Sequence, residues 1–525
     1  MEKISASETL NTLRIPSGEL ALLDVREEGV FACGHILLAS SLPLSRLELE
    51  ASRLVPRRST RMIVCDDDDG LAQTAQSRLH ALGYSNVVTL DGGMSAWVEA
   101  GCEVFAGLNT PGKALGVFAA KELTIPEIGA DELAALLEKD ADIKIVDCRP
   151  FSEYQRGSIP GAVNSPGIEL LRQFAGGSAG AHLVVTCAGR TRGLLGAQTL
   201  IDAGVTGRIT ALHNGTMGWE LSGRTLERKA AKNLKNTPDG ATGPREIAEG
   251  IRVRAGISLV NRATLEDWRA DEERTTYLFD IRERTEYEPG HLTEARQIAG
   301  GQLVQNFDRH VATLGARIVL SDDDGLRATG VALWLRRMGW SEIAVAPIEN
   351  EKELERGEGR PVRAPLPKGA RYIGPEDLGH RLKDKDTLLI DLANSRTYRG
   401  GHIPGAYFAI RSRLAKILPS LPTANRLVLT SEDGRQAAFA TGDALRFDGE
   451  ILALSGGTAA WQMAGYPLSD STDRFADRPE DVMLKPSELS EGRQEAMREY
   501  LSGSDDLLEK IERDATLRLN ALPVT

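Results

Sequence analysis

One cysteine at the end of an apolar run could act as a nucleophile in this sequence. The stretch VVTCAGRTRG places Cys187 before a short glycine-containing turn, with Arg190 and Arg192 close behind it. The thiolate is the reactive form of cysteine, and both nearby positive charge and a helix N-terminus favour it. Because GLLGAQTLIDAG follows with a helical pattern, we expect the loop to lie over that helix's free amides. The thiol is therefore predicted to ionise near neutral pH.

The elements that would position this cysteine recur four times along the chain. Each copy begins with an apolar strand that ends in aspartate, starting at Leu22, Ile145, Leu278 and Leu389. A second apolar run follows about 30 to 40 residues later and stops at a short loop, after which come a helical pattern and another short strand. Three copies then close with a glycine-containing turn and a tryptophan, which the third copy lacks. Strands that alternate with helices predict βαβ units and a parallel sheet.

The repeats predict an α/β protein of four tandem domains and a helical tail. Each domain is expected to have a central parallel sheet flanked by helices. The domains are assigned to residues 1–110, 121–230, 255–350 and 368–472. Residues 473–525 are rich in helix formers, so we predict one or two helices there that lie against the domains or a partner chain, with packing favoured over a binding role.

This outline resembles the rhodanese family, repeated four times. The DxR signature at a strand end carries the resemblance, together with GHIPGA from Gly401 to Ala406; the DxR pairs are Asp24 with Arg26, Asp147 with Arg149 and Asp280 with Arg282. The resemblance implies a compact α/β domain whose active-site loop connects a strand to the next helix. In catalytic members that loop begins with the sulfur-carrying cysteine.

Only the second copy has a cysteine at the start of this loop. When the loops are matched on their glycine and helix start, Asp67, Asp322 and Ser431 take its place in the other copies. The second domain is therefore predicted to be catalytic and the other three to lack a catalytic cysteine. They would serve as a scaffold, a docking surface or a regulator.

The remaining four cysteines are assigned no chemistry. Cys65 precedes four aspartates, whose charge would raise its thiol pKa, so we predict a structural role. Cys148 lies between the Asp and Arg of a strand end and is predicted to be buried core. Cys33 and Cys102 have no supporting context. Five scattered cysteines do not form a disulfide framework, which favours free thiols.

Sulfur transfer is the chemistry that suits the second loop. An ionised Cys187 could attack the outer sulfur of thiosulfate, release sulfite and retain a persulfide. Arg190 or Arg192 could bind the sulfonate oxygens in a fork, and cyanide or a thiol would then remove the sulfur. The substrate-binding residues are predicted to be the rest of the loop and the helix start: Ala188, Gly189, Arg190, Thr191, Arg192 and Gly193. His213, in the turn HNGTMGW that should lie near the loop, could help to bind substrate or cap the turn, and we favour the cap.

Two other enzyme classes fit the loop less well. Cysteine-dependent phosphatases need five residues between cysteine and arginine, whereas four separate Cys187 from Arg192. Mercaptopyruvate-type transferases carry a glycine- and serine-rich loop, from which CAGRTR departs. The alternative from another class is an interaction scaffold in which Cys187 relays sulfur to a protein acceptor or senses oxidants.

Charge disfavours several partners, and the lack of a long apolar run leads us to expect a cytoplasmic location. The chain of 525 residues is 41% hydrophobic and 26% charged, which is ordinary for a soluble globular protein. It carries a net charge of −12, which disfavours nucleic acid and phospholipid surfaces as partners. No stretch is apolar enough to suggest a membrane span. Carboxylates on the DDDG turns should be exposed and diverge, so neither a metal nor another cofactor is predicted.

Overall fold

The chain forms two compact units, each built largely from two of the four copies. The computed structural model describes residues 2–139, 141–234, 243–349, 354–359, 362–383, 386–444, 446–489, 491–503 and 506–522. One unit consists of Met1–Thr9, Ala21–Leu108 and Val362–Leu484, and therefore holds most of the first copy and the fourth. The other consists of Leu10–Leu20, Asn109–Pro361 and Lys485–Thr525, and holds the second and third copies with most of the tail.

The first copy alternates five strands with five helices. Its strands are β1 (Lys3–Ile4), β2 (Leu20–Asp24), β3 (Ser40–Ser41), β4 (Arg61–Cys65) and β5 (Val87–Leu90). Its helices are α1 (Ala6–Arg14), α2 (Glu28–Cys33), α3 (Leu47–Leu54), α4 (Leu71–Ala81) and α5 (Gly93–Glu99).

The second copy has the same order, preceded by a connecting helix, α6 (Thr110–Glu122). Its strands are β6 (Glu127–Ile128), β7 (Ile143–Asp147), β8 (Val163–Asn164), β9 (His182–Thr186) and β10 (Ile209–Leu212). Its helices are α7 (Ala130–Glu138), α8 (Phe151–Arg156), α9 (Leu170–Phe174), α10 (Thr191–Asp202) and α11 (Gly215–Leu221).

The third copy begins with the helix α12 (Pro244–Ala255) and has one additional short strand. Its strands are β11 (Ser258–Leu259), β12 (Thr276–Asp280), β13 (Arg296–Gln297), β14 (Thr313–Leu314), β15 (Arg317–Ser321) and β16 (Ile343–Val345). Its other helices are α13 (Arg262–Ala270), α14 (Arg284–Tyr287), α15 (Gly300–Gln305) and α16 (Leu326–Arg337).

The fourth copy repeats the pattern and leads into the tail. Its strands are β17 (Tyr372–Ile373), β18 (Thr387–Asp391), β19 (Tyr407–Phe408), β20 (Arg426–Thr430) and β21 (Glu450–Leu454). Its helices are α17 (Pro375–Arg381), α18 (Ser395–Gly400), α19 (Leu414–Ile417), α20 (Arg435–Ala440) and α21 (Gly457–Met463). The tail contains α22 (Arg493–Ser502) and α23 (Leu507–Asp514).

All four copies share one sheet topology. The second copy has the parallel order β6-β10-β9-β7-β8, and the corresponding strands of the other copies follow the same order. The central strands are short apolar runs buried along most of their length, as in β9, because helices cover both faces of a parallel sheet. The predicted fold class, four α/β domains with parallel sheets and a helical tail, is confirmed.

The DxR signature has a structural function at the end of a central strand. Arg149 Nη2 lies 2.6 Å from Asp147 Oδ2 and also donates a hydrogen bond to the Gly157 carbonyl at 2.5 Å. Arg26 and Arg282 make the same pair of contacts in the first and third copies. The ion pair is buried, so it fixes the turn that follows the strand.

Candidate active site

Cys187 lies at the centre of the second copy, between a buried strand and the first turn of a helix. It follows β9 directly and is 2% exposed. The first turn of α11 supports the loop, because the Thr216 N–H donates a hydrogen bond to the Cys187 carbonyl at 2.8 Å. Gly215, with φ at +51°, permits this approach, since a Cβ there would lie 2.3 Å from that carbonyl oxygen.

The surroundings of Cys187 favour its thiolate. A hydrogen bond from the Cys148 thiol is the largest influence on its pKa, and burial opposes ionisation. The charge of Arg192 and hydrogen bonds from the backbone N–H groups of Gly193 and Gly189 lower the pKa further. Together they lower the Cys187 pKa to about 7.

Cys148 is the neighbour that the sequence interpretation did not connect to Cys187. The predicted burial is found, at 2% exposed, and the Cys148 thiol lies 3.0 Å from the Thr186 carbonyl oxygen. Its hydrogen bond with the Cys187 sulfur is the largest cause of a raised Cys148 pKa, and burial adds to it. The sequence does contain a signal for this contact. Cys148 directly follows β7, whose last residue begins the DxR motif, Cys187 directly follows β9, and these two strands are adjacent in the sheet.

Arg192 and Arg190 occupy different environments beside the loop. Arg192 Nη2 lies 2.8 Å from Glu153 Oε2, and its side chain is 10% exposed. Arg190 is about one-third exposed, with Nη2 3.8 Å from Glu127 Oε1. Arg192 Nη1 and Arg190 Nε are buried and have no hydrogen-bond partner in the part of the chain that the structure describes. Unsatisfied buried donors of this kind are suited to an anionic ligand.

The other predicted loop residues contribute mainly through their backbone. The Ala188 carbonyl accepts a hydrogen bond from the Met217 N–H at 2.9 Å. Thr191 begins α10 and packs against α6, where a Cβ on Gly116 would lie 2.4 Å from Thr191 Oγ1. A Cβ on Gly193 would lie 3.6 Å from Cys187 Sγ. The loop therefore brings its amides, rather than these side chains, to the sulfur.

His213 does not cap its turn through its side chain. Its Nδ1 pairs with Glu127 Oε2 at 2.8 Å, and the ring is 48% exposed. Because Glu127 also faces Arg190, the histidine belongs to the polar rim of the loop. The prediction of a turn cap is wrong for this side chain.

Comparison with known proteins settles which family this chain belongs to. The family model of the rhodanese-like domain matches residues 7–100, 129–222, 262–346 and 374–464, which is more than half of the chain. The chain belongs to the rhodanese-like domain family.

One solved rhodanese structure covers the whole molecule. It is the crystal structure of a thiosulfate sulfurtransferase from Pseudomonas aeruginosa, 40% identical to this chain, with a TM-score of 0.93 and 100% of both chains covered. Two curated relatives match only one stretch each. An HTH-type transcriptional regulator of Mycobacterium tuberculosis is 30% identical over 117 residues, and an uncharacterized protein of Synechocystis is 33% identical over 106 residues. These matches span 22% and 20% of this chain, and 52% and 58% of the relatives.

The rhodanese loops without cysteine place an oxygen where the thiol would be. The position equivalent to Cys187 in the first copy is Asp66 and not Asp67, because the Asp66 carbonyl accepts the hydrogen bond from Met94 in the first turn of α5. The first loop has one residue more than the loops of the other copies, and Asp68 within it has φ at +61°. Because of this extra residue, matching the loops on their glycine aligns Asp67 instead of Asp66 with Cys187. Asp322 and Ser431 occupy the position in the other copies, as predicted.

These loops bind their own side chains rather than leaving the amides free. The Asp322 carboxylate accepts hydrogen bonds from the backbone N–H groups of Gly325, Arg327 and Ala328 at 2.6, 2.9 and 3.1 Å. Asp66 accepts from the Asp68 and Ala72 N–H groups in the same way. Both aspartates are buried, so the expectation of exposed carboxylates is wrong at these two positions.

The acidic turn of the third copy is organised by protein groups. Carboxylate oxygens of Asp322, Asp323 and Asp324 lie within 4.8 Å of one another and do not diverge as the sequence suggested. Asp322 is held by loop amides, and Asp323 pairs with Arg327 at 2.8 Å. Their contacts explain the cluster as part of the packing of α16.

Cys65 of the first copy is buried beneath its loop. Burial is the largest cause of its raised pKa, and the charge of Asp24 adds to it. The direction agrees with the sequence interpretation, but the cause differs, because desolvation outweighs the four following carboxylates. Cys65 corresponds to Thr186 in the second copy, the last residue of the strand.

Part of the tail packs on the loop that holds Cys187, a contact that the sequence did not indicate. A Cβ on Gly189 would lie 3.2 Å from Tyr500 Cε1 and 3.7 Å from Leu501 Cδ2, so α22 packs on the loop. Arg493 Nη2 lies 3.0 Å from Glu220 Oε1, and Lys485 Nζ lies 3.4 Å from Glu153 Oε1.

None of the helices in the described ranges is both long and apolar enough to cross a membrane.

Proposed function

We propose that the protein is a sulfurtransferase that moves sulfane sulfur from thiosulfate, or a similar anionic donor, to a thiophilic acceptor. Cys187 carries the sulfur as a persulfide. The observation that carries this proposal is a cysteine with a pKa of about 7 beside two buried, unsatisfied guanidinium donors. The likeness to a thiosulfate sulfurtransferase across the whole chain supports the donor class.

The first half-reaction loads the cysteine. The Cys187 thiolate attacks the outer sulfur of thiosulfate, the sulfur–sulfur bond breaks, and sulfite leaves with the bonding electron pair. Arg192 Nη1 and Arg190 Nε are the donors that would bind the sulfonate oxygens, because each has a hydrogen to give. Arg192 also keeps its fork oriented by its pair with Glu153.

The second half-reaction returns the thiolate. The persulfide is an anion, so the Gly189 and Gly193 amides and the start of α10, which favour the thiolate, would also stabilise it. Cyanide or a thiol then attacks the outer sulfur and expels the Cys187 thiolate. A low thiol pKa makes that thiolate a good leaving group.

The other three rhodanese domains act as structural partners in this proposal. Their loop amides are already bound by Asp66, Asp322 or Ser431, as described above for the two aspartates. A cytoplasmic location suits five free cysteines, which persist where disulfides are kept reduced. Neither nucleic acid nor a membrane is proposed as a partner.

Replacement of Cys187 by serine tests the proposal. The variant should release no sulfite from thiosulfate, a loss of at least about 1,000-fold, because serine cannot carry the sulfur. Cys33→Ser removes an exposed thiol elsewhere and should keep full turnover. Unchanged sulfite release by the Cys187→Ser variant would refute the function.

A further inference from the structure

The second rhodanese domain holds two thiols side by side in its core. In the ladder between β7 and β9, Asp147 is paired with Thr186, and the Cys148 N–H donates to the Thr186 carbonyl at 2.9 Å. The next residue on each strand is a cysteine, so Cys148 and Cys187 lie at the same level on adjacent strands. Neighbouring strands are about 4.8 Å apart, which is within the Cα separation that a disulfide spans.

Both side chains also lie under the same helix. A Cβ on Gly193 would be 3.6 Å from Cys187 Sγ, and a Cβ on Gly196, one turn further along α10, would be 3.9 Å from Cys148 Cβ. Both cysteines belong to one apolar cluster and are 2% exposed. The two thiols therefore face the same side of the sheet in a site that excludes solvent.

Comparison of the four copies shows that the second thiol is not required by the fold. The residues after the strand-end aspartate in the other copies are Val25, Ile281 and Leu392, and each makes the same backbone hydrogen bond as Cys148. The position therefore accepts ordinary apolar side chains. A cysteine stands there only in the copy whose loop also has one.

We infer that Cys148 is a resolving thiol that discharges the Cys187 persulfide when no acceptor arrives. This step rests on the proposed function. The Cys148 sulfur attacks the inner sulfur of the persulfide, a Cys148–Cys187 disulfide forms, and the bond between the two sulfurs of the persulfide breaks. The outer sulfur leaves as HS⁻ with the electron pair of that bond and the Cys148 proton. The sulfane sulfur is reduced by two electrons, and the two cysteines are oxidised to the disulfide.

The surroundings of Cys148 make this a slow side path rather than the main reaction. The hydrogen bond with Cys187 and burial raise the Cys148 pKa, so this thiol stays protonated and attacks slowly. Loading moves the negative charge from Cys187 Sγ to the outer sulfur, which weakens the hydrogen bond between the two cysteines, but the Thr186 carbonyl oxygen, 3.0 Å from the Cys148 sulfur, still accepts the Cys148 proton. An acceptor that is present would therefore compete successfully. The disulfide form is inactive until an external thiol reduces it.

The test follows one round of loading in the full-length protein. Reduced protein is treated with thiosulfate without any acceptor, and sulfite and sulfide are quantified over time. After alkylation, nonreducing peptide mapping identifies the state of Cys187. We expect one equivalent of sulfite, then one equivalent of sulfide together with a peptide pair joined through Cys148 and Cys187.

Two variants separate the resolving role from the hydrogen bond. Cys148→Ser keeps a donor for the thiolate but cannot form a disulfide, and Cys148→Val carries the residue that the first copy tolerates. Both should release sulfite, retain one extra sulfur atom on the Cys187 peptide and release no sulfide. Cys33→Ser should behave as the wild type.

Distinct outcomes overturn the two proposals. A wild-type protein that loads but keeps the extra sulfur without releasing sulfide refutes the resolving step alone. Sulfide release from Cys148→Ser at the wild-type rate refutes it as well. Absence of both sulfite and adduct from the wild type refutes the proposed function and, with it, this step.

Discussion

The reactivity of Cys187 depends on a balance between burial and its hydrogen bonds. A thiol that is 2% exposed should be difficult to ionise, because a charge in an apolar site is poorly solvated. The Cys148 thiol, Arg192 and two backbone amides outweigh that cost. The active form is therefore maintained by protein groups that replace water.

The rate of sulfite release should follow the ionisation of Cys187. Because its pKa is lowered to about 7, the thiolate is scarce below that pH and predominates above it. The single-turnover rate should rise about tenfold per pH unit below 7 and level off above it. Cys148→Val should move the midpoint upward, whereas Cys148→Ser, which retains a donor, should move it less. A midpoint that is the same in all three proteins would contradict this assignment.

Arg192→Lys should weaken donor binding although it preserves the charge. Lysine cannot pair with Glu153 and present a second donor in a fixed fork as Arg192 does. Loss of one charged hydrogen bond predicts an increase in KM for thiosulfate of about 10- to 100-fold. Steady-state kinetics with the matched variant Arg208→Lys provide the control, because that side chain is 62% exposed. An unchanged KM would exclude Arg192 from the donor site.

Each copy has a loop between a central strand and the next helix, but the group that the loop amides face differs between copies. In the second copy its amides surround a thiol, and in the third they bind the Asp322 carboxylate. An N-terminal helix turn favours either anion, since its N–H groups lack partners within the helix. The same element therefore supports the proposed catalysis in one domain and local stability in another.

Segments outside the repeats pack beside the loop that holds Cys187. Tyr500 of α22 lies against Gly189, and Lys113 of α6 lies 5.1 Å from the centre of the Tyr500 ring. Neither residue falls within the ranges that the rhodanese family model matches. These contacts therefore come from the connecting helix and the tail and not from the repeated domain.

Tyr500→Ala should change acceptor selectivity. Removal of the ring opens space above Gly189, which should benefit a bulky thiol such as glutathione more than cyanide. We expect the ratio of kcat/KM for glutathione to that for cyanide to rise about fivefold. Tyr500→Phe keeps the ring and should keep the ratio. Equal changes for both acceptors would show that the ring does not limit access.

At the scale of the molecule, buried arginines join copies within a unit. Arg327 of the third copy has a fully buried side chain and pairs with Glu169 of the second copy at 2.8 Å. Arg411 of the fourth copy pairs in the same manner with Glu48 of the first at 2.6 Å. The second and third copies also share one apolar core, in which α16 is buried along nearly its whole length. The pair, rather than the single domain, is the compact unit.

Arg327→Met should destabilise the unit that holds the active loop. The substitution leaves Glu169, Glu286 and Asp323 without their shared cation. Breaking a buried ion pair costs about 3 to 5 kcal/mol, so calorimetry should show one unfolding transition shifted to lower temperature. Arg284→Met removes a side chain that is 61% exposed and should change little. A thermogram like that of the wild type would contradict the predicted contribution.

The sequence alone was sufficient to predict the repeat, the parallel sheets and the identity of Asp322 and Ser431 at the cysteine position. These features are local, because strand periodicity and motif residues lie close together along the chain. For the first loop the predicted position, Asp67, is wrong by one residue. An inserted residue changes the spacing between strand and helix without changing the motif.

Contacts between distant segments were decided only by the tertiary structure. Cys148 meets Cys187 because β7 and β9 are adjacent in a particular register, and Tyr500 reaches Gly189 because the tail returns to the second domain. The pairing of copies likewise depends on which helix faces pack together. The sequence determines which residues are available for such contacts, whereas strand order and packing determine which of these residues are in contact.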